Sequence, residues 1–132
     1  MGDWYSRITA VIVTYDSREI VGAALDSIDR RVRIIVVDNA SGDGTGAFVR
    51  SKYPHVEVIE NERNVGFGRA NNIGLALVRT EFAVLINPDV YWQGSAVFTL
   101  MLAAARRYPD AALLSPTLMD DSRSSSGIFS YT

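Results

Sequence analysis

The chain has 132 residues, 48% of them apolar and 21% charged, enough for one compact domain and more apolar than a disordered chain. Thirteen basic and fifteen acidic side chains give a net charge of -2, without the basic excess of a phosphate-tracking nucleic-acid binder. The absence of cysteine and the presence of a single histidine, His55, exclude disulfide frameworks, thiolate zinc sites and multi-histidine metal sites. No apolar run approaches the roughly 20 residues of a bilayer span, and no signal peptide is visible. The expectation is a cytoplasmic domain.

In chain order, residues 8–15 (ITAVIVTY) are a β-branched, nearly uncharged run, as in a strand covered on both faces. Residues 19–28 place Ile20, Ala23, Ala24 and Ile28 at helical spacing, with Ser17 as the expected N-cap. Residues 32–37 (VRIIVV) predict a second buried strand ending at Asp38. ASGDGTG reads as a loop, and residues 45–53 as a short helix stopped before Pro54. Residues 56–59 predict a third strand. After the polar ENERN, residues 68–78 form a helix with Ala70, Ile73, Leu77 and Val78 facing the core. Residues 82–86 (FAVLI) are a fourth strand. Residues 97–108 are a helix with Leu100, Met101, Ala104 and Ala105 at helical spacing, and residues 111–114 are assigned a last strand.

Strands alternating with helices imply right-handed crossovers, a mostly parallel sheet and an α/β, Rossmann-like fold. Ligands in such folds lie beyond the carboxyl ends of the strands. Those ends carry Thr14-Tyr15-Asp16, Asp38-Asn39, Glu60-Asn61 and Asn87-Pro88-Asp89. The expected domain covers residues 1–118. Residues 119–132, rich in serine, are a flexible tail or the start of a further half that binds the acceptor.

Taken alone, each motif has two readings. Asp38 either forms an Asx-turn at a strand-to-helix joint or accepts a hydrogen bond from a nucleoside. Around the rigid Pro88, Asn87 and Asp89 offer oxygen atoms of the kind hard cations share with phosphates, although for the tripeptide alone an ordinary turn is the stronger reading. Gly66-Phe67-Gly68 lacks the third glycine of a dinucleotide fingerprint, and GDGTG is not followed by the Lys of a Walker motif. Both read as turns. His55 reads as a surface residue, and Trp4 and Trp92 as packing residues.

In order, TAVIVTYD, IIVVDNASGDGT, NERNVGFGRANNIGL and FAVLINPDV resemble the inverting glycosyltransferases of family 2, most of all its rhamnosyltransferase-like branch, over residues 8–118. The resemblance implies a GT-A fold and transfer of a sugar from a UDP- or dTDP-sugar to a glycan or lipid-linked acceptor in cell-wall polysaccharide biosynthesis. Mg2+ or Mn2+ is the implied cofactor.

By the same resemblance, Thr14 and Tyr15 line the base pocket, and Asp38 accepts the imide N–H of uracil or thymine. Asn64, Gly66 and Asn71 lie along the base, ribose or phosphate path. Asp89 matches the last carboxylate of the metal-binding motif, and Asn87 stands where many members have its first Asp. The general base of that family lies in a Glu-Asp motif well past residue 132, and Asp120-Asp121 is no substitute, so no catalytic residue is assigned. The expectation is therefore an incomplete enzyme, possessing the donor site and lacking the base. A non-catalytic nucleotide-sugar-binding or regulatory module is the alternative, and a doubly wound domain of another class is a third reading. An exposed sheet edge is expected to favour a homodimer. Peripheral membrane association is expected only of a full-length relative.

Overall fold

The computed structural model describes residues 2–94 and 96–117. Two compact units result, Met1–Ser95 and Ala96–Thr132. The expected boundary at residue 118 and the serine-rich tail lie outside the described residues.

In the first unit a 3-10 turn (Trp4–Arg7) leads into β1 (Ile8–Thr14), followed by α1 (Val21–Ser27), β2 (Arg33–Asp38), α2 (Thr45–Lys52), β3 (Glu57–Glu60), α3 (Phe67–Leu75) and β4 (Phe82–Ile86). The sheet order is β3-β2-β1-β4, with every pairing parallel. All seven residues of β1 are buried, as are the last five of β2, which explains their uninterrupted apolar character. Edge strand β3 begins and ends on an exposed glutamate.

On one face of the sheet, α3 packs over β1 and β2. Val13, Ile35, Val37 and Ala70 form a buried cluster there, flanked by Ile59, Val65, Ile73 and Leu77. Gly74 sets the approach: a Cβ at this position would stand 2.5 Å from Val11 Cγ1 and 3.2 Å from Val37 Cγ2. Beyond Gly74, α3 gives way to single turns, with Leu77 N donating to Gly74 O and Val78 N to Leu75 O.

Several expectations shift. The buried face of α1 is Val21, Ala24 and Leu25, followed by the buried Ile28 just past the helix, whereas Ile20 is exposed and precedes it. Ser17 is not a side-chain cap. Its backbone carbonyl accepts from Ile20 N and Val21 N, and its hydroxyl is tied to Tyr15. In the second unit, α4 (Val97–Arg107) buries Phe98 and Leu102, while Leu100 is exposed. Residues 111–114 form no strand. Their Ala-Ala-Leu-Leu sequence lacks the β-branched residues that favour a pleated surface, and all four are exposed.

Candidate functional site at the carboxyl rim of the sheet

The parallel register aligns Thr14 with Asp38, Asp38 with Glu60, and Ile12 with Ile86. The residues just beyond these positions therefore share one edge of the sheet. Tyr15, Asp38, Asn64, Gly66, Asn87 and Asp89 all belong to these strand ends or the loops that leave them.

Asp38 is a buried carboxylate of the rim, with 3% of its surface exposed. Its Oδ1 accepts from the Thr14 hydroxyl at 2.7 Å and the Ser41 hydroxyl at 2.6 Å, and its Oδ2 accepts from Ser41 N at 3.0 Å. These donors stabilise a carboxylate that water scarcely reaches. The turn-building reading of Asp38 is thus observed: its carboxylate closes the turn after β2 onto Ser41 and is tied to Thr14 at the end of β1. The Tyr15 side chain is 55% exposed, leaving its ring open to a stacking partner.

Asn39 organises the next stretch. Its backbone N–H donates to Thr14 O at 2.8 Å, and its side-chain Nδ2 donates to Asn64 Oδ1, also at 2.8 Å. Its Oδ1 accepts from Asn61 Nδ2 at 3.1 Å and Val65 N at 3.0 Å. Asn64 Oδ1 also accepts from Gly66 N at 2.9 Å. One buried amide thus holds the loop between β3 and α3 against the end of β2. Gly66 has φ +87°, a backbone conformation that a side chain would strain, and it opens α3. Asn71, buried on α3, donates through Nδ2 to Phe67 O at 3.1 Å.

Two non-glycine residues of the rim adopt left-handed backbone, Asp16 at φ 47° and Ala40 at φ 63°. Surrounding hydrogen bonds hold these conformations. Asp16 N donates to Ser41 Oγ at 2.9 Å, and Asp16 Oδ1 accepts from Gly42 N at 2.7 Å. Ser17 N donates to Thr45 Oγ1, and Arg18 N donates to Asp43 Oδ2, each at 3.0 Å. The Thr45 hydroxyl, with the Arg18 and Thr45 backbone N–H groups assisting, holds the Asp43 carboxyl below its usual range. The loops after β1 and β2 are thereby latched together.

At β4, Asn87 and Asp89 are exposed, and Val90 N closes a turn onto Asn87 O at 3.1 Å. No group of three metal-ligating side chains forms among the described residues. One carboxylate and one amide suit a cation such as magnesium or manganese that completes its coordination with phosphates and water. The donor chemistry therefore fits a cation brought in with a diphosphate and does not form an all-protein cage.

Ser41 and Asn39 are the rim residues whose importance the sequence did not single out. Ser41 lies in a stretch read only as a turn, and Asn39 was noted only as a strand-end polar group. The adjacency Asp-Asn at the end of a buried strand was the one available signal.

A parallel four-stranded sheet flanked by helices, with polar side chains on the loops that leave the strands' carboxyl ends, defines an α/β, Rossmann-like class of domain. The sequence profile described as glycosyl transferase family 2 matches residues 9–125, and the chain belongs to that family. It is 30% identical over 128 residues to N-acetylglucosaminyl-diphospho-decaprenol L-rhamnosyltransferase of Mycobacterium tuberculosis, covering 86% of this chain and 41% of that protein. The succinoglycan biosynthesis protein ExoO of Rhizobium meliloti is 31% identical over 87 residues, 62% of this chain and 25% of that one. The chain thus spans less than half the length of these relatives.

Among solved structures, a mannosyltransferase from Pyrobaculum calidifontis in complex with GDP-Man and Mn2+ superposes with a TM-score of 0.64 at 26% identity. That match covers 80% of this chain and 33% of the other. S. aureus TarS 1-349 in complex with UDP superposes with a TM-score of 0.63 at 25% identity, covering 75% of this chain and 31% of that one. The GT-A fold is common to these proteins. Among the described residues, no helix is long and apolar enough to cross a membrane.

Proposed function

We propose that this chain is the donor-binding part of an inverting glycosyltransferase that uses a uridine or thymidine diphosphate sugar. In this reading Tyr15 packs against the pyrimidine and Thr14 backs the pocket. Asp38 accepts the imide N–H, and Asn64, Gly66 and Asn71 follow the ribose and phosphates. Asp89, with Asn87, would hold a divalent cation, which when bound supplies charge neutralisation for the departing diphosphate. The carrying observation is the juxtaposition, on one rim of a family 2 domain, of the exposed Tyr15 ring with a buried Asp38 carboxylate.

The acceptor in this reading is a glycan or a lipid-linked saccharide. The name of the Mycobacterium tuberculosis relative supports it, since a diphospho-decaprenol saccharide receives the rhamnose there. Transfer belongs to the whole protein, with an acceptor hydroxyl deprotonated by a general base outside the donor site.

Calorimetric titration with UDP and dTDP, with and without Mg2+ or Mn2+, tests the proposal. Binding is expected, with Asp38→Ala weakening base recognition and Asp89→Ala removing the dependence on metal. Parent-like binding by both variants would sink the site assignment.

A further inference from the structure

Helix α4 has no charged residue from Val97 to Ala105, and the one hydroxyl in that stretch, on Thr99, donates back to Ala96 O at 2.8 Å. Phe98 and Leu102 form its buried side. At about 3.6 residues per turn, Leu100, Ala103 and Arg107 fall on the opposite arc, with Ala104 beside them. Leu100 is 66% exposed, and Ala103 is exposed as well. On a helix with one buried side, that arc ordinarily carries charged and polar residues. Here it stays apolar until Arg107, as on a helix that meets a second apolar environment.

The end of the helix identifies that environment. Arg106 and Arg107 fill the last turn, and the Arg107 guanidinium lies 5.8 Å from the centre of the exposed Tyr108 ring. The dipole of α4 favours cations in its last turn, yet it does not account for the apolar arc before them. Neither arginine forms an ion pair among the described residues. Residues 96–109 contain no carboxylate, so a second copy of α4 packed on the first offers these cations no anion. Phosphate headgroups of lipids do. Aliphatic side chains would enter the acyl boundary while the arginines and the tyrosine stay at headgroup level. With 11 residues, α4 is roughly 16 Å long, too short to span a bilayer and long enough to lie in its surface.

We propose that Leu100, Ala103 and Arg107, with Arg106 and Tyr108, dock α4 on an anionic lipid surface. The proposal deepens the reading above, in which the acceptor is lipid-linked, and for its purpose rests on it: docking holds the chain where such an acceptor is anchored.

Co-sedimentation with vesicles of phosphatidylcholine alone, and of phosphatidylcholine mixed equally with phosphatidylglycerol, tests the docking. Preference for the mixed vesicles, weakened by added salt, is expected. Each arginine at an anionic surface is worth about fivefold in partitioning, so Arg106→Ala combined with Arg107→Ala should lower it about twentyfold. Lysine at both positions should retain most of the binding. Leu100→Ser should cost about tenfold, and it leaves the buried side of the helix untouched. Arg30→Ala combined with Arg79→Ala removes two exposed cations of the first unit, the same change in net charge, and should leave binding close to the parent's.

Equal losses from the two arginine pairs would make the attraction one of net charge and overturn the assignment to α4. So would a parent that ignores the mixed vesicles at low salt, or one that forms a dimer in solution that Leu100→Ser disperses, which gives the face to a second copy. Titrating the parent with UDP separates this proposal from the donor-site reading. UDP binding without vesicle binding overturns the docking alone, and vesicle binding without UDP binding overturns the donor-site reading alone.

Discussion

Replacing Asn39 by alanine tests how the rim is held together. The substitution removes three side-chain hydrogen bonds, to Asn64 Oδ1, from Asn61 Nδ2 and from Val65 N, and leaves the backbone bond to Thr14 O in place. Each bond is worth about 1 kcal/mol net, and the orphaned groups on the exposed loop partly recover water, so the loss should be about 2 kcal/mol. For a chain of this size that lowers the melting temperature by roughly 6 °C. The local effect should be larger than the global one. Val65 N–H loses its acceptor outright, and Gly66 N–H loses the anchoring of Asn64, so hydrogen exchange at both amides should accelerate well beyond that of the β1 amides. Asn39→Asp keeps the acceptor for Asn61 and Val65 and loses only the donor to Asn64, so it should fall between the parent and Asn39→Ala. Unchanged protection at Val65 in Asn39→Ala, or equal damage from both substitutions, would refute this account of the loop.

Three further outcomes follow from the packing and the charges. Gly74→Ala brings a methyl within 2.5 Å of Val11 Cγ1, so it should destabilise the fold by about 1–3 kcal/mol. Thermal melts should show Val11→Ala partly relieving that cost in the double variant. The Tyr53 hydroxyl donates toward Asp26 Oδ1 at 3.0 Å and Gly22 O at 3.3 Å, and burial, then Asp26, raises its pKa to about 12. Tyr53→Phe should therefore cost about 1 kcal/mol in denaturant unfolding and remove a tyrosine that resists ionisation in an alkaline absorbance titration. Asp29, hydrogen-bonded by the Arg31 side chain and backbone, is lowered from 3.8 to about 2. A depressed carboxylate stabilises above its unfolded pKa, so this contribution is present above pH 3.8 and lost as the pH falls toward 2. The pair is largely solvated, which limits it to less than about 1 kcal/mol. Asn at position 29 should flatten that part of the acid melting curve.

The central strands were legible because burial on both faces leaves an uninterrupted β-branched run, as in residues 8–14 and 33–38. The parallel topology followed from their alternation with helices. What the sequence concealed was orientation and bonding. The buried stripe of α1 is Val21, Ala24 and Leu25, whereas Ile20 and Ala23 are exposed, because the two neighbouring stripes are both apolar and only packing against the sheet chooses between them. The Ser17 hydroxyl looked like a cap, yet the nearest backbone it satisfies is that of Tyr15. Ser41 and Asn39 look like ordinary turn residues in one dimension. Their importance comes from partners more than twenty positions away, Asp16 and Asn64, which only the closed sheet edge brings within hydrogen-bond reach.

The rim divides its work unevenly, and the division has a physical origin. At the β1–β2 end, hydroxyls, amides and backbone N–H groups are already paired before any ligand arrives. In the proposed reading that part of the site is built in advance and would lose little freedom on binding. At the β4 end, Asn87 and Asp89 are exposed on a turn, with a single carboxylate between them. In the proposed reading, a cation held there would complete its coordination with the diphosphate, so metal and nucleotide should strengthen each other's binding reciprocally. Mg2+ should thus tighten UDP more than it tightens uridine, which lacks the phosphates. Equal enhancement of both by Mg2+ would place the cation away from Asp89.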